Sequence, residues 1–330
     1  MAQPAHGGGG HRSFSLEPAA GLRALAFLLL LASALGAHAQ AVDIPPWFTE
    51  SLLEIPEDVQ DAARERKRLM LYFGQDGCPY CKQLMQTNFT QRAIVEKTRK
   101  HFVAIALNIW GDREVQWTDG RRMSEKELAR ALKVQYTPTL IFLDEKGAIA
   151  ARLNGYYPPQ RFAAALDYAA GLAGKGRRFE DHMKSAVKDS ASPTLHEQPF
   201  FLKPPARLDG AKPMALVVET PYCAGCDELH REGFRRPEVR RLLERFDVYR
   251  LSLDDARALS PPVAYTPTIA FFDAGREVFR IEAYLRPFHL ASALDYVASR
   301  AYRTEPSFQR YLQARAERLR EGGARVDLWK

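Results

Sequence analysis

The sequence predicts an α/β protein built from two tandem copies of one domain. Each copy has a sheet covered by helices on both faces. Three observations lead there. A Cys-x-x-Cys pair occurs twice, in "GCPYCKQL" (77–84) and in "PYCAGCDEL" (221–229). Matching blocks follow both pairs in the same order. Apolar runs of strand length alternate with segments of helical spacing, the pattern of an α/β fold.

The elements follow in order. The apolar runs "KRLMLYF" (67–73) and "KPMALVV" (212–218) precede the two cysteine pairs and read as buried strands. Each pair opens a helix. "QTNFTQRAIVEKTRKHF" (86–102) then keeps helical spacing, and Phe89 matches Phe234 of the second copy. The strand "HFVAIALNI" (101–109) matches "RFDVYRLSL" (245–253). "SEKELARAL" (124–132) opens with Ser124 and carries Glu127 three residues on, the pattern of a capping box. "YTPTLIFLDEKG" (136–147) matches "YTPTIAFFDAGR" (265–276), and the closing helix "QRFAAALDYAAGLA" (160–173) contains "ALDYAAG", matched by "ALDYVAS" (293–299). This is a duplicated domain, with a period too long for a solenoid. The segment 174–207 reads as a polar, proline-containing linker with one short helix near Phe179–Lys188. Residues 301–330 hold an amphipathic helix and tail, its apolar face formed by Phe308, Tyr311, Leu312 and Leu319. The copies themselves are placed at 46–173 and 208–300.

Residues 1–39 are read as a leader rather than as fold. The uninterrupted apolar run from Ala24 to Ala37 is 14 residues, short of the roughly 20 that a spanning helix needs. It follows Arg12 and Arg23 and ends in Ala37-His38-Ala39, the small-x-small pattern of a secretory cleavage site. The expected protein is exported to the periplasm or beyond, without stable membrane insertion once the leader is cut; an uncleaved anchor is the alternative. The formal charge of +7 is interleaved along helical segments such as "ARERKR" (63–68), "FRRPEVRR" (234–241) and "QARAERLR" (313–320). That pattern suits solvated helix faces, and no aromatic-basic motif points to nucleic acid.

The chain has four cysteines, and each has its partner three residues away. Structural disulfides in exported proteins usually close long loops. A bridge over so short a loop gives little chain-entropy stabilisation, so reversible chemistry explains these pairs better. Zinc is the competing reading, since four thiolates can bind it tetrahedrally. Against it, Cys81 and Cys223 are separated by a whole domain, whereas zinc-ribbon pairs lie some 15–20 residues apart. His101, His182, His196, His230 and His289 form no ligand motif and read as surface or helix decoration. Trp110 and Trp117 fall in a segment that only the first copy has, where they either rim a partner groove or fix that segment to the core.

A strand leading into Cys-x-x-Cys at a helix start, with Thr-Pro-Thr opening a later strand, resembles the thioredoxin superfamily. The cysteine-to-proline interval is longer in copy one (Cys78 to Pro138) than in copy two (Cys223 to Pro267), and the extra residues fall in "IWGDREVQWTDGRRMS" (109–124). With "YFGQDGCPYCKQL" and "LDEKG", that insertion makes the first copy similar to SoxW-like periplasmic thioredoxins. The resemblance implies two tandem thioredoxin-like domains, each a central mixed β-sheet flanked by helices, acting as a thiol–disulfide oxidoreductase without metal or organic cofactor. It implies that Cys78 attacks a substrate disulfide and Cys81 resolves the mixed disulfide, with Cys223 and Cys226 repeating these roles. It also implies cis peptides at Thr137–Pro138 and Thr266–Pro267, beside the cysteines, where an extended substrate would pair.

Implied partners are disulfide-containing exported proteins or small thiols, and a membrane thiol-electron donor if the enzyme reduces. An oxidase or isomerase, or a non-catalytic chaperone of the same fold, is the alternative. Two departures from the family stand out. Gly77 and Tyr222 replace the usual tryptophan before the first cysteine. Tyr72 and Val217 occupy the position of the usual buried carboxylate. Glu219, two residues after Val217, shares its strand face and could substitute for that acid in copy two. Lys82, four residues after Cys78, favours a thiolate there, whereas Asp227 at the matching position opposes one at Cys223.

Overall fold

A computed structural model describes residues 41–174, 176–186, 191–203, 212–259 and 266–326, with Met1, Val263 and Leu328. The leader lies outside the described residues, as do Tyr265, the end of the expected linker helix and residues 204–211.

The first copy begins with α1 (Ile55–Arg64) and β1 (Arg68–Gly74). Next come α2 (Pro79–Gln83), which Cys78 precedes and which contains Cys81, α3 (Arg92–His101), β2 (Phe102–Asn108), the short strands β3 (Glu114–Gln116) and β4 (Arg122–Ser124), and α4 (Glu125–Ala131). The copy closes with β5 (Thr139–Leu143), β6 (Ile149–Asn154) and α5 (Pro159–Ala169). Its sheet runs β2-β1-β5-β6, with β1 parallel to β2 and antiparallel to β5. Alternate β1 residues enter different cores. Met70 and Tyr72 pack with both cysteines, Phe89 and Phe162. Leu69, Leu71 and Phe73 pack with Ile55, Val115 and Trp117. Burial on both faces is why β1 reads as an unbroken apolar run instead of an alternating one.

Two local features differ from the sequence expectation. The helix expected from residue 86 starts at Arg92, because the cysteine helix continues as a π-helical turn over Leu84–Asn88. The wider turn comes back to regular geometry through Phe89, which is buried against Phe162. The copy-one insertion folds as the β3–β4 hairpin, with Trp117 in the core and Trp110 donating its ring N–H to Gln75. Trp117 therefore holds the hairpin to the core. Ser124 caps α4 as its spacing suggests: the Glu127 carboxylate accepts from both the Ser124 amide and hydroxyl, at 2.8 Å each.

A helix α6 (Phe179–Ala186) and the short strand β7 (Phe201–Leu202) lie between the copies. The second copy contains β8 (Met214–Glu219), α7 (Ala224–Glu228), α8 (Pro237–Leu243), β9 (Asp247–Ser252), β10 (Thr268–Asp273), β11 (Arg276–Ile281) and α9 (Pro287–Ala298). Its sheet runs β11-β10-β8-β9-β7. The shared four-strand order and orientation are those of copy one, and β7 from the connecting segment adds a parallel edge strand. Between β9 and β10 the described residues of copy two hold a 3-10 turn, Asp255–Ala258, where copy one has α4.

The last helix, α10 (Phe308–Glu321), closes copy two. Phe308, Tyr311 and Leu312 enter its core, while Leu319 is half-buried. One of the charges read as solvated is not: Arg315 is buried, bonded to Glu238, Asp295 and Ser292.

The N-terminal end of α10 also touches copy one. Tyr136 of copy one is buried in the core of copy two, with its ring against Phe279 and Phe308 and its hydroxyl donating to the Arg280 carbonyl at 2.9 Å. Phe308 thus serves both the copy-two core and the join. Phe308→Ala is expected to destabilise the protein by about 3–5 kcal/mol, measured as a shift of the urea midpoint.

Candidate active site

Each cysteine pair forms its own disulfide at the start of its helix. Cys78 is the N-cap of α2, and the Cys81 amide donates to its sulfur at 3.0 Å. Cys223 caps α7 in the same way, with the Cys226 amide donating at 3.1 Å. Free amides at a helix N-terminus stabilise negative charge on the capping atom. In each reduced pair the sulfur so placed is therefore the better thiolate, and the thiolate is the nucleophile. Pro79 fits the first turn of α2, where an N–H would have no helical partner.

The peptides Thr137–Pro138 and Thr266–Pro267 are both cis. Cys78 Sγ lies 3.4 Å from the Thr137 carbonyl oxygen, so the proline segment sits against the disulfide. In copy two the approach is through Gly225, where a Cβ would come within 2.9 Å of the Pro267 ring. Only glycine leaves that space.

The model of the thioredoxin-like domain matches residues 55–170 and again 206–298. The chain belongs to the thioredoxin-like domain family. Two Cys-x-x-Cys disulfides at helix starts within that fold make it a thiol–disulfide oxidoreductase. Among solved structures it is similar to a thioredoxin-fold protein from Helicobacter pylori, at 28% identity over 42% of this chain and 87% of that one, with a TM-score of 0.34. It is also similar to a thioredoxin from Thermus thermophilus, at 26% identity over 37% and 86% of the two chains, TM-score 0.28. A third is the periplasmic thioredoxin SoxS from Paracoccus pantotrophus, at 25% identity over 27% and 99%, TM-score 0.22. No curated protein matches the chain.

The thioredoxin-like copies differ where the sequence departs from the family. Gly77 and Tyr222, which precede the first cysteines, both have left-handed backbone, φ 70° and 58°. That conformation is free for glycine and strained for tyrosine. Tyr72 takes the position of the missing acid in copy one. Its hydroxyl is buried without a hydrogen-bond partner, and burial pushes its pKa up from the usual phenol value.

In copy two, Glu219 lies on the Val217 face as the strand alternation requires. It is buried and accepts from His230 at 2.8 Å, and its second oxygen has no partner. His230 is held on its other nitrogen by Gln198 from the connecting segment, at 2.9 Å. The Asp227 carboxylate pairs with His196 at 2.6 Å and accepts from the Ser192 amide. Lys82 is half-buried on α2, with its amide donating to the Cys78 carbonyl.

The histidines correct the sequence reading. His182, His230 and His289 are buried rather than surface decoration, because each finds a polar partner inside: the Ala164 carbonyl, Glu219 and the Tyr80 hydroxyl. Sequence reasoning also missed Gln75. It donates to Thr137 Oγ1 at 3.2 Å and to Gln309 of α10 at 2.8 Å while accepting from Trp110, so it ties the proline segment to both the insertion and the last helix.

His289 joins the copies at the first active site. The Tyr80 hydroxyl lies 3.4 Å from His289 Nδ1 and accepts from the Arg286 amide at 3.3 Å. Burial, and next the Arg286 charge, lower the His289 pKa from 6.5 to about 3. Between those values the unfolded chain binds a proton that the folded chain does not. Stability therefore falls as pH drops from 6.5 towards 3, by at most about 1.4 kcal/mol per pH unit from this group. His289→Gln is expected to flatten that slope in thermal melts taken across the window. Glu219→Ala, which strips the buried His230 of its carboxylate, is expected to destabilise copy two by about 3 kcal/mol in urea unfolding.

Proposed function

We propose that this chain is an exported thioredoxin-like reductase of disulfides in proteins or small thiols, working without metal or organic cofactor. The observation that carries the reading is the paired geometry: in both copies the first cysteine sulfur accepts a helix N-terminal amide beside a cis-proline segment. Export rests on the leader pattern of residues 1–39. No helix among the described residues is long and apolar enough to cross a membrane.

The chemistry is two successive exchanges. The Cys78 thiolate attacks one sulfur of the substrate disulfide, and the other leaves as a thiolate that takes up a proton. Cys81, once deprotonated, attacks Cys78 and releases the second substrate thiol. The substrate gains two electrons and the enzyme pair becomes a disulfide. Cys223 and Cys226 repeat these steps in copy two. Thr137 and Thr266, beside their prolines, provide backbone for an extended substrate. Lys82 favours the thiolate of Cys78, and Glu219 supplies copy two with the carboxylate that copy one lacks. An exported reductase needs electrons, and a membrane thiol carrier is the donor class that fits.

The test is the reduction potential of each pair. It is measured in dithiothreitol redox buffers on the chain and on its Cys78→Ser/Cys81→Ser and Cys223→Ser/Cys226→Ser variants. Potentials near −270 mV, roughly that of thioredoxin, are expected for a reductase. Values near roughly −120 mV would instead make the protein an oxidant that installs disulfides. Pairs that resist reduction until the protein unfolds would leave a binding module and no redox enzyme.

A further inference from the structure

Copy two lends a positive charge to the first active site. Arg286 stands in the turn between β11 and α9, directly before Pro287. Its guanidinium lies over the ring of Tyr80, 5.3 Å from the centroid, within the range of a cation–π contact. The guanidinium also donates to Gln83 at 3.1 Å, and the Arg286 amide donates to the Tyr80 hydroxyl at 3.3 Å. Tyr80 stands between Cys78 and Cys81, and Gln83 ends the same short helix. A cation of one copy is thus fixed on the Cys-x-x-Cys helix of the other.

That charge reaches titratable groups of both copies. Burial raises the Tyr80 pKa, and the Arg286 amide and charge oppose the rise. Burial raises the Glu228 pKa on α7, and the Arg231 and Arg286 charges oppose it. The other charges around the first pair are Lys82 on α2, Asp76 on the loop before it, and Glu228, whose charge also acts on Tyr80. His289, next to Tyr80, is neutral near pH 7.

The contact is one-sided in the repeat. Pro158 stands where copy two has Arg286, and Gly225 and Glu228 stand where copy one has Tyr80 and Gln83. A proline brings no charge, and a glycine gives a cation no ring to lie on.

We propose that Arg286 is a positioning residue of the first active site: it holds a positive charge over the turn between Cys78 and Cys81, and so stabilises the Cys78 thiolate and the reduced pair. This deepens the redox reading above and rests on it. Charge balance fixes the sign. Reducing the disulfide adds two electrons, and with Cys78 ionised only Cys81 takes up a proton. The reduced form then carries a negative charge that the disulfide lacks. A cation nearby favours that form, and the potential of the pair rises.

The test uses the full chain carrying Cys223→Ser/Cys226→Ser, so that only the first pair is read. Arg286→Gln is expected to shift its equilibrium with dithiothreitol about fivefold towards the disulfide, a potential lower by about 20 mV. The pH of half-maximal Cys78 alkylation by iodoacetamide should rise by about 0.7, the same fivefold change. Arg286→Lys keeps the charge and loses the planar fork, and both readouts should stay within about twofold of the parent chain.

A second measurement needs no change at Arg286. Raising the ionic strength from about 0.01 M to about 1 M shortens the screening length from about 30 Å to about 3 Å, and should lower the potential of the first pair in the parent chain. An Arg286→Gln chain with unchanged potential and alkylation profile, an Arg286→Lys chain that behaves like Arg286→Gln, or a potential indifferent to salt would overturn the role of Arg286 and leave the redox reading intact. If the first pair cannot be reduced in the folded parent chain, the redox reading falls, and this proposal with it.

Discussion

Burial of Tyr136 in the neighbouring core is the contact on which the rest of the arrangement depends. Its ring cannot leave the Phe279–Phe308 cluster without exposing a large apolar surface, and its hydroxyl would lose the Arg280 carbonyl. Tyr136 stands directly before Thr137–Pro138, so burying it fixes the proline segment of the first active site in space. The polar contacts around it follow. Gln309 reaches Gln135 and Gln75 because α10 is anchored next to Tyr136 by Phe308. On the other side of the site, Arg286 and His289 reach Tyr80 from the turn and helix that follow β11. Copy two is thus both a thioredoxin-like domain with its own disulfide and part of the surroundings of copy one.

The two active sites show one local motif placed in different electrostatic settings. Both sulfurs cap a helix and receive the same amide. Copy one sets a partnerless buried phenol where the acid is missing, and copy two sets a buried carboxylate–histidine pair nearby. The copy-two pair is completed from outside its own domain, since Gln198 holds the far nitrogen of His230 and His196 pairs with Asp227. The connecting segment, which carries both residues, acts as part of the second site.

Local signals in the sequence made the core of each copy legible. The apolar runs of β1 and β8, the cysteines at helix starts, the Ser124–Glu127 cap and the repeated Thr-Pro-Thr all act over a few residues. What escaped reading acts over longer distances or smaller geometric differences. A π-helical turn after the cysteines differs from an α-helical one by a single hydrogen-bond register, so Leu84–Asn88 carries no compositional mark. The 3-10 turn at Asp255–Ala258 was hidden because that region matches copy one only through its flanking strands. His230 and His289 looked superficial because their partners, Gln198 and Tyr80, are far away in the chain. Gln75 was invisible for the same reason: an uncharged polar residue becomes a hub only when three distant segments converge on it.

The contact between Asn154 and Glu282 has an ancestry written into it. The two residues occupy corresponding positions of the duplicated domain, five residues before the proline that starts each closing helix. Their successors, Gly155 and Ala283, also lie close together. Counterpart meeting counterpart is the mark of a two-fold axis, as in a symmetric pair of identical subunits. In such a pair one residue type must face itself, and two glutamates so placed would repel. Joining the copies in one polypeptide lifts that demand. One side is free to become an amide donor and the other a carboxylate, and a helix such as α10 can be added once instead of twice. Within one polypeptide the two counterparts are thereby free to differ, as Asn154 and Glu282 do.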